Sequence, residues 1–192
     1  MTFSKPLALA GAVAAIALVP ACTYDPEPGN AEEDTAAEQV NGTLASALSD
    51  LDGMDQLNDA VGQAQLNSVF DGQGAYTLLG PTDAAFEGLG ERASALMTEE
   101  QRPVLVGLLR EHILPGHLTP ENIATAIETN GGEVTMTTLG GGDVVFAQDG
   151  DGITVSNGNG STARLTGSAT EASNGVIIPL DAVLVPAEAP AE

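Results

Sequence analysis

The spacing of the apolar residues changes at about Gly132, and this change limits the folds that the chain can adopt. Before Gly132 the apolar residues recur every three or four positions, as they do on one face of an α-helix. After it they alternate with polar residues, as at Val134 and Met136, and Gly-containing turn sequences separate the runs. Helices followed by antiparallel hairpins predict an α+β fold.

The first part of the chain carries start signals that are typical of short helices. Thr98 has capping-box spacing with Gln101, and Pro103 offers an alternative start for the same helix. Thr119 before Pro120 predicts another capped helix. The apolar stripes of the predicted helices are Leu44, Leu48 and Leu51; Leu57, Val61 and Ala64; Val104, Leu105, Leu108 and Leu109; and Ile123 and Ile127.

The strand signals are runs of apolar residues bounded by turns. Residues 74–79 form such a run, which stops at Gly80-Pro81. Residues 149–152 (DGDG) and 157–160 (NGNG) have the composition of hairpin turns. The remaining strands predicted from apolar runs cover residues 163–165, 176–178 and 183–185.

The N-terminus resembles the signal sequence of an exported bacterial lipoprotein. Lys5 precedes an apolar run over residues 7–19, which is too short to cross the ~30 Å hydrocarbon core of a bilayer. Residues 19–22 (VPAC) resemble a lipobox, in which the cysteine receives the lipid. We therefore predict a signal peptide over residues 1–21 and lipid attachment at Cys22. The alternative is a soluble exported protein that is cut just before this cysteine.

Composition divides the remaining chain into a tether, a domain and a tail. Residues 23–38 contain six acids, two prolines and no base, which is typical of an extended, self-repelling linker. We expect the lipid-attachment cysteine and an acidic disordered linker over residues 22–39, one folded domain over 40–186, and a disordered tail over 187–192.

The charge of the chain excludes several classes of partner. Lys and Arg number 5 against 27 Asp and Glu, and the net charge of −22 repels nucleic acid and anionic membrane surfaces. We therefore expect membrane contact through the lipid anchor only. The one Cys excludes an internal disulfide and a Cys-based zinc site. Residues 149–152 lack the third ligand and the closing Glu of a calcium loop, so neither metal nor cofactor is expected.

Three segments in order resemble the motifs of fasciclin-like domains. They are residues 76–86 (YTLLGPTDAAF), 109–116 (LREHILPG) and 174–186 (NGVIIPLDAVLVP), and together they span most of the predicted domain. The resemblance implies a compact β-wedge of antiparallel strands flanked by short helices. It also implies an adhesion or interaction module rather than an enzyme.

This sequence departs from the family pattern at two places. Glu111 stands where the Tyr of the family's Tyr-His adhesion motif is usual, and Ile178-Pro179 stands where the second signature usually has His-Val. The integrin-type binding of some animal members is therefore not carried over.

The motif residues are predicted to be structural. Thr82 and Asp83 are expected to cap the helix that carries Phe86, whose ring belongs in the core. His112 is expected to be hydrogen-bonded and partly buried, and Asn174-Gly175 is expected to form a turn that sets the register of the last strand. The predicted structural motif residues are Pro81, Thr82, Asp83, Phe86, His112, Pro115, Gly116, Asn174, Gly175 and Asp181.

The sequence contains no recognisable catalytic set. No Gly-x-Ser-x-Gly elbow is present, and the spacing of His112 and His117 does not match a helical zinc motif. We predict an exported, lipid-anchored module of the cell envelope that binds an extracellular or envelope protein or a glycan without catalysis. The alternatives are a small ligand-binding protein or hydrolase that uses a cleft around His112, and a purely structural envelope protein. The sequence leaves the oligomeric state open.

Overall fold

The computed structural model describes residues 38–39 and 42–185. Cys22, the predicted signal peptide, most of the predicted linker and the predicted tail lie outside them. The helices are α1 (Leu44–Asp50), α2 (Asp55–Gln63), α3 (Asn67–Phe70), α4 (Asp83–Glu87), α5 (Glu91–Leu96), α6 (Arg102–Glu111) and α7 (Pro120–Asn130), with a 3₁₀ turn at Glu99–Gln101. The strands are β1 (Glu38–Gln39), β2 (Tyr76–Pro81), β3 (Ile113–Pro115), β4 (Glu133–Thr137), β5 (Asp143–Asp149), β6 (Gly152–Asn157), β7 (Thr162–Arg164), β8 (Thr170–Ala172) and β9 (Gly175–Leu180).

The strands form two sheets, and the predicted α+β fold is confirmed. β4, β5, β6 and β7 form an antiparallel meander, with the predicted turns at residues 149–152 and 157–160 between its strands. The other sheet has the order β1-β8-β9-β2-β3. Its central strands β2 and β9 are parallel, paired from Tyr76 with Gly175 to Pro81 with Leu180. This parallel centre is not visible in the spacing of the sequence.

The five-stranded sheet is covered on both faces, which gives the domain two hydrophobic cores. Side chains alternate across a strand, so Ile177 of β9 joins one core while Val176 and Ile178 join the other. The helix-side core contains Leu44, Leu48, Leu57, Val61, Phe70, Leu78, Phe86, Leu105, Leu109, Ile113 and Ile177. The hairpin-side core contains Leu79, Leu114, Ile123, Ile127, Val144, Phe146, Val155, Val176, Ile178 and Leu180.

The starts of two helices test the predicted capping signals. At α7, Thr119 and Asn122 form a capping box and Pro120 stands in the first turn, as predicted. The capping box predicted at Thr98 is wrong, because the Thr98 hydroxyl instead donates to the carbonyl of Ala95, at 3.0 Å. α6 begins four residues later, with Pro103 in its first turn.

One predicted strand is absent, and several short elements were not predicted. Residues 183–185 were expected to be a strand but form none, because the amide of Leu184 donates to the ring of His112 instead of to a neighbouring strand. No pattern in the sequence predicted α5 or β8. Glu38 and Gln39, at the end of the predicted linker, form β1 and pair in parallel with β8. Within the described residues, no helix has the length and apolar character needed to span a membrane.

Candidate functional site

Thr82 and Asp83 join two helices at the end of β2. The Thr82 hydroxyl accepts from the amide of Ala85 at 3.4 Å and caps α4, as predicted. Asp83 does not cap this helix. Its carboxylate accepts from the amide of Gln56 at 2.9 Å, in the first turn of α2, and its own amide donates to Gly53. A carboxylate at this position satisfies an amide that the helix itself leaves unpaired.

Asn174 connects the last strand to the first helices. Its side-chain oxygen accepts from the amide of Leu44 at 2.7 Å. Its side-chain nitrogen donates to the carbonyls of Phe70 and Gly72, at 2.6 and 2.8 Å. The predicted turn at Asn174-Gly175 lies between β8 and β9. The Asn174 side chain also holds the start of α1, 130 residues earlier, and the end of α3, 104 residues earlier.

Gly175 allows β9 to approach β2 closely. A Cβ at this position would overlap the carbonyl oxygen of Tyr76 and come within 2.6 Å of a methyl group of Leu44. Since Gly175 pairs with Tyr76 in the register of the two strands, only a residue without a side chain permits this spacing.

His112 is a buried, neutral residue at the C-terminal end of α6. Its ring is 1% exposed; Nδ1 donates to the carbonyl of Leu108 at 2.9 Å, and Nε2 accepts from the amide of Leu184 at 3.0 Å. Burial lowers the pKa of His112, and this outweighs the opposite effects of the Leu108 hydrogen bond and the nearby Glu111 charge. Both ring nitrogens are therefore engaged in hydrogen bonds inside the domain.

Pro115 and Gly116 end β3 and turn the chain towards α7. Gly116 has a φ of +101°, which favours glycine. The buried hydroxyl of Thr77 donates to the Gly116 carbonyl and accepts from the amide of Leu118, both at 2.8 Å. This turn is fixed to β2 by a side chain that the sequence did not single out, because a threonine within an apolar run has no distinguishing pattern.

The remaining motif residues also support the scaffold. Phe86 is 5% exposed and packs in the helix-side core, as predicted. Pro81 is the last residue of β2 and pairs with Leu180. Asp181 is exposed, and its carboxylate accepts from the amide of Arg164 at 2.7 Å. Among the motif residues, Asn174 and Gly175 lie at one end of the β2–β9 ladder, and Pro81, Thr82 and Asp181 lie at the other.

A surface groove lies elsewhere, between α6 and two loops of the four-stranded sheet. Its volume is about 510 Å³. It is lined by Val104, Gly107, Leu108, Arg110, Glu111, Gly140, Gly142, Asp143, Asn157, Gly158 and Asn159. No pattern in the sequence predicted this groove, because its residues come from three segments that have no common motif. Within residues 42–185, no three His, Cys, Asp or Glu side chains come together as a metal site.

The fold and its motif residues define a class of domain in which two signature segments form the parallel centre of a sheet. Residues 52–186 match the family model of the fasciclin domain, and the chain belongs to this family. The fasciclin domain is associated with cell adhesion or protein interaction.

Two relatives and one solved structure are similar to the chain. It is 28% identical over 154 residues to the transforming growth factor-beta-induced protein ig-h3 of Sus scrofa, matching 80% of this chain and 21% of that protein. It is 30% identical over 128 residues to protein sll1483 of Synechocystis sp., matching 66% of this chain and 64% of that protein. The chain thus spans less than two thirds of either relative.

The similar solved structure is a FAS1 domain pair from the insect cell adhesion molecule Fasciclin I. The TM-score is 0.66 at 14% identity, and the match covers 76% of this chain and 51% of that one. At this identity the likeness concerns the fold alone, and it agrees with the predicted fasciclin-like architecture.

Proposed function

We propose that the protein is an exported module of the cell envelope, lipid-anchored through Cys22, that acts by contact with a protein or glycan and not by catalysis. Membership of the fasciclin family carries this proposal. The solved neighbour comes from a cell adhesion molecule, which supports the same class of function. The lipobox-like residues 19–22 support the anchor.

The environment of His112 argues against the hydrolase alternative. A general base must come within about 3 Å of the proton that it removes, or reach it through one water. The His112 ring is 1% exposed, and its nitrogens bond to Leu108 and Leu184. A ring that is buried and bonded at both nitrogens does not favour a cleft built around His112.

The charge of the domain restricts the partners that it can bind. Residues 42–185 contain 19 acids and four arginines and no lysine. This field opposes nucleic acid and anionic surfaces and favours cationic or uncharged partners. An envelope protein or an uncharged glycan meets this condition.

Deletion of residues 40–186 with the N-terminal 39 residues retained tests the contact function. We expect cells that express the truncated form to attach to a surface, or to one another, less than cells that express the full chain at the same level. Equal attachment by both would contradict adhesion. Unchanged attachment combined with a detergent-sensitive envelope would favour the structural role instead.

The variant Cys22→Ser tests the anchor separately. We expect the protein to move from the membrane to the soluble fraction and to lose incorporation of labelled fatty acid, because the lipid is attached to the cysteine sulfur. Thr23→Ser is the matched control and should leave both measurements unchanged. Retention of Cys22→Ser in the membrane fraction would contradict lipid anchoring.

A further inference from the structure

We propose that the groove beside α6 binds an extended, basic segment of a partner protein. This inference rests on the proposed function, because it gives the contact module a site and a partner chemistry. The groove combines an apolar wall on α6 with a fixed carboxylate at the end of the same helix.

The apolar wall consists of Val104, Gly107 and Leu108. Val104 is 49% exposed, which is unusual among the large apolar residues of the domain. Gly107 lies in the middle of α6, where glycine costs about 1 kcal/mol relative to alanine. A Cβ on Gly107 would meet no atom within 4 Å, and the φ of Gly107 is not positive. The fold therefore does not require glycine here. A glycine at this position leaves room for the backbone of a bound segment to approach α6 closely.

The carboxylate of Glu111 is held in place at the other end of the groove. The hydroxyl of Thr138 donates to one of its oxygens at 2.8 Å. Gly140 and Gly142 pack directly against the same carboxylate, since a Cβ at either position would overlap it. The second oxygen lies against Gly140, and among the described residues no hydrogen-bond donor to it is found. The negative end of the α6 dipole adds to the potential at this point.

The charges favour a positive occupant. The groove contains two carboxylates, Glu111 and Asp143, against one guanidinium, Arg110. Around it lies a domain with 19 acids and four arginines. A Lys or Arg side chain can place its cation at Glu111 while its aliphatic stem lies along Val104.

The same charges disfavour the two other occupants that the chain could supply. A second copy carries the same acidic surface and is repelled. Residues 186–192 continue from Val185, whose carbonyl accepts from Asn157 at 2.8 Å at the groove edge, so they could reach the groove. These residues contain Glu188 and Glu192 and no base, so the groove carboxylates oppose them.

Selection of phage-displayed random seven-residue peptides on the purified full chain tests the proposal. We expect enriched peptides to carry Lys or Arg next to small apolar residues. The affinity of a synthetic enriched peptide, measured by fluorescence anisotropy, should fall about tenfold in Glu111→Gln, because a charge-assisted hydrogen bond is lost. Glu128→Gln, an exposed acid on α7, is the matched control and should bind as the unchanged chain does.

Gly107→Leu supplies a second, independent variant. It places a side chain in the groove and replaces glycine by a better helix former, so the domain should stay folded while peptide affinity falls at least tenfold. Circular dichroism checks the fold.

Four results would overturn the proposal. They are the absence of any enriched peptide, enrichment without a basic residue, equal binding by Glu111→Gln and Glu128→Gln, and tighter peptide binding after removal of residues 186–192. The last would identify the chain's own C-terminal segment as the occupant. The deletion of residues 40–186 then separates the two proposals. If cell attachment still depends on these residues, the proposed contact function stands and only the groove proposal is wrong. If attachment does not depend on them, both proposals are wrong.

Discussion

The two cores on either side of the five-stranded sheet are held together by different kinds of interaction. On the helix side, polar side chains bridge segments that are far apart in the chain, as Asn174 does to Leu44 and Asp83 does to Gln56. On the hairpin side, β4 to β7 follow one another and pair with their sequence neighbours. There the turn side chain of Asn157 bonds mainly within its own loop.

This difference predicts where the domain is sensitive to substitution. A backbone ladder of consecutive strands does not depend on any one side chain. Where one buried or half-buried polar side chain satisfies several distant groups, the stability depends on that side chain, because its removal leaves each of those groups without a partner. The helix side should therefore lose more stability from single polar or steric changes.

Gly175→Ala should have the largest effect. The added Cβ would overlap the carbonyl of Tyr76, so β2 and β9 would have to separate, at a cost of about 3 kcal/mol or more. Urea unfolding measures this loss. Gly158→Ala, in the hairpin-side loop, meets no atom within 4 Å and should be nearly neutral. Equal losses in the two variants would contradict the close approach at Gly175.

Asn174→Ala and Asn157→Ala form a matched pair on the two sides. Each asparagine is half-buried and makes three side-chain hydrogen bonds. We expect a loss of about 3 kcal/mol for Asn174→Ala and about 1 kcal/mol for Asn157→Ala, since exposed loop groups can turn to water. The same unfolding assay compares them. A larger loss for Asn157→Ala would reverse the comparison.

The stability of the domain should depend on pH through His112, which bonds to α6 on the helix side and to Leu184 of the hairpin-side core. Burial lowers its pKa in the folded state, so the unfolded chain binds the proton more readily. The free energy of unfolding should fall as the pH drops below about 6.5, by up to about 1.4 kcal/mol per pH unit. His112→Gln should remove this dependence, and His117→Gln, at an exposed position, should keep it. Urea midpoints at about pH 8 and about pH 5.5 provide the measurement.

Gly107→Ala should have the smallest effect, and in the opposite direction. It lies on the exposed face of α6 and has open space for a Cβ, so stability should rise by about 1 kcal/mol. A thermal melt measures the gain. A loss of stability would mean that α6 needs glycine for its own packing, and the steric argument for the groove would then fail.

Local patterns predicted the elements that local interactions form. The stripe of Leu44, Leu48 and Leu51 marked α1, and the DGDG turn marked the β5–β6 hairpin, because spacing and turn chemistry act over a few residues. The apolar run at residues 183–185 was misread as a strand for the same reason. Its burial is real, but the amide of Leu184 is satisfied by His112.

Interactions across the chain were not predictable from the sequence. The target of Asp83 is α2, about 27 residues earlier, and nothing near Asp83 distinguishes this from a cap on its own helix. The groove depends on Glu111, Gly140 and Asn157 meeting at one place, which only the topology decides. The motif residues were interpreted as structural, and the partners of their side chains became visible only in three dimensions.

The parallel pairing of β2 with β9 also determines when the domain can form during synthesis. Residues 76–81 must wait for residues 175–180 before the middle of their sheet is complete. Contacts between such distant residues slow folding, because a long loop must close before they contribute. A nascent chain lacks both β9 and Asn174 until residues 174–180 have left the ribosome. If the protein is exported as we propose, this order of synthesis keeps residues 42–173 from completing their fold, and therefore keeps them able to pass through a secretion channel, until residues 174–180 have been made.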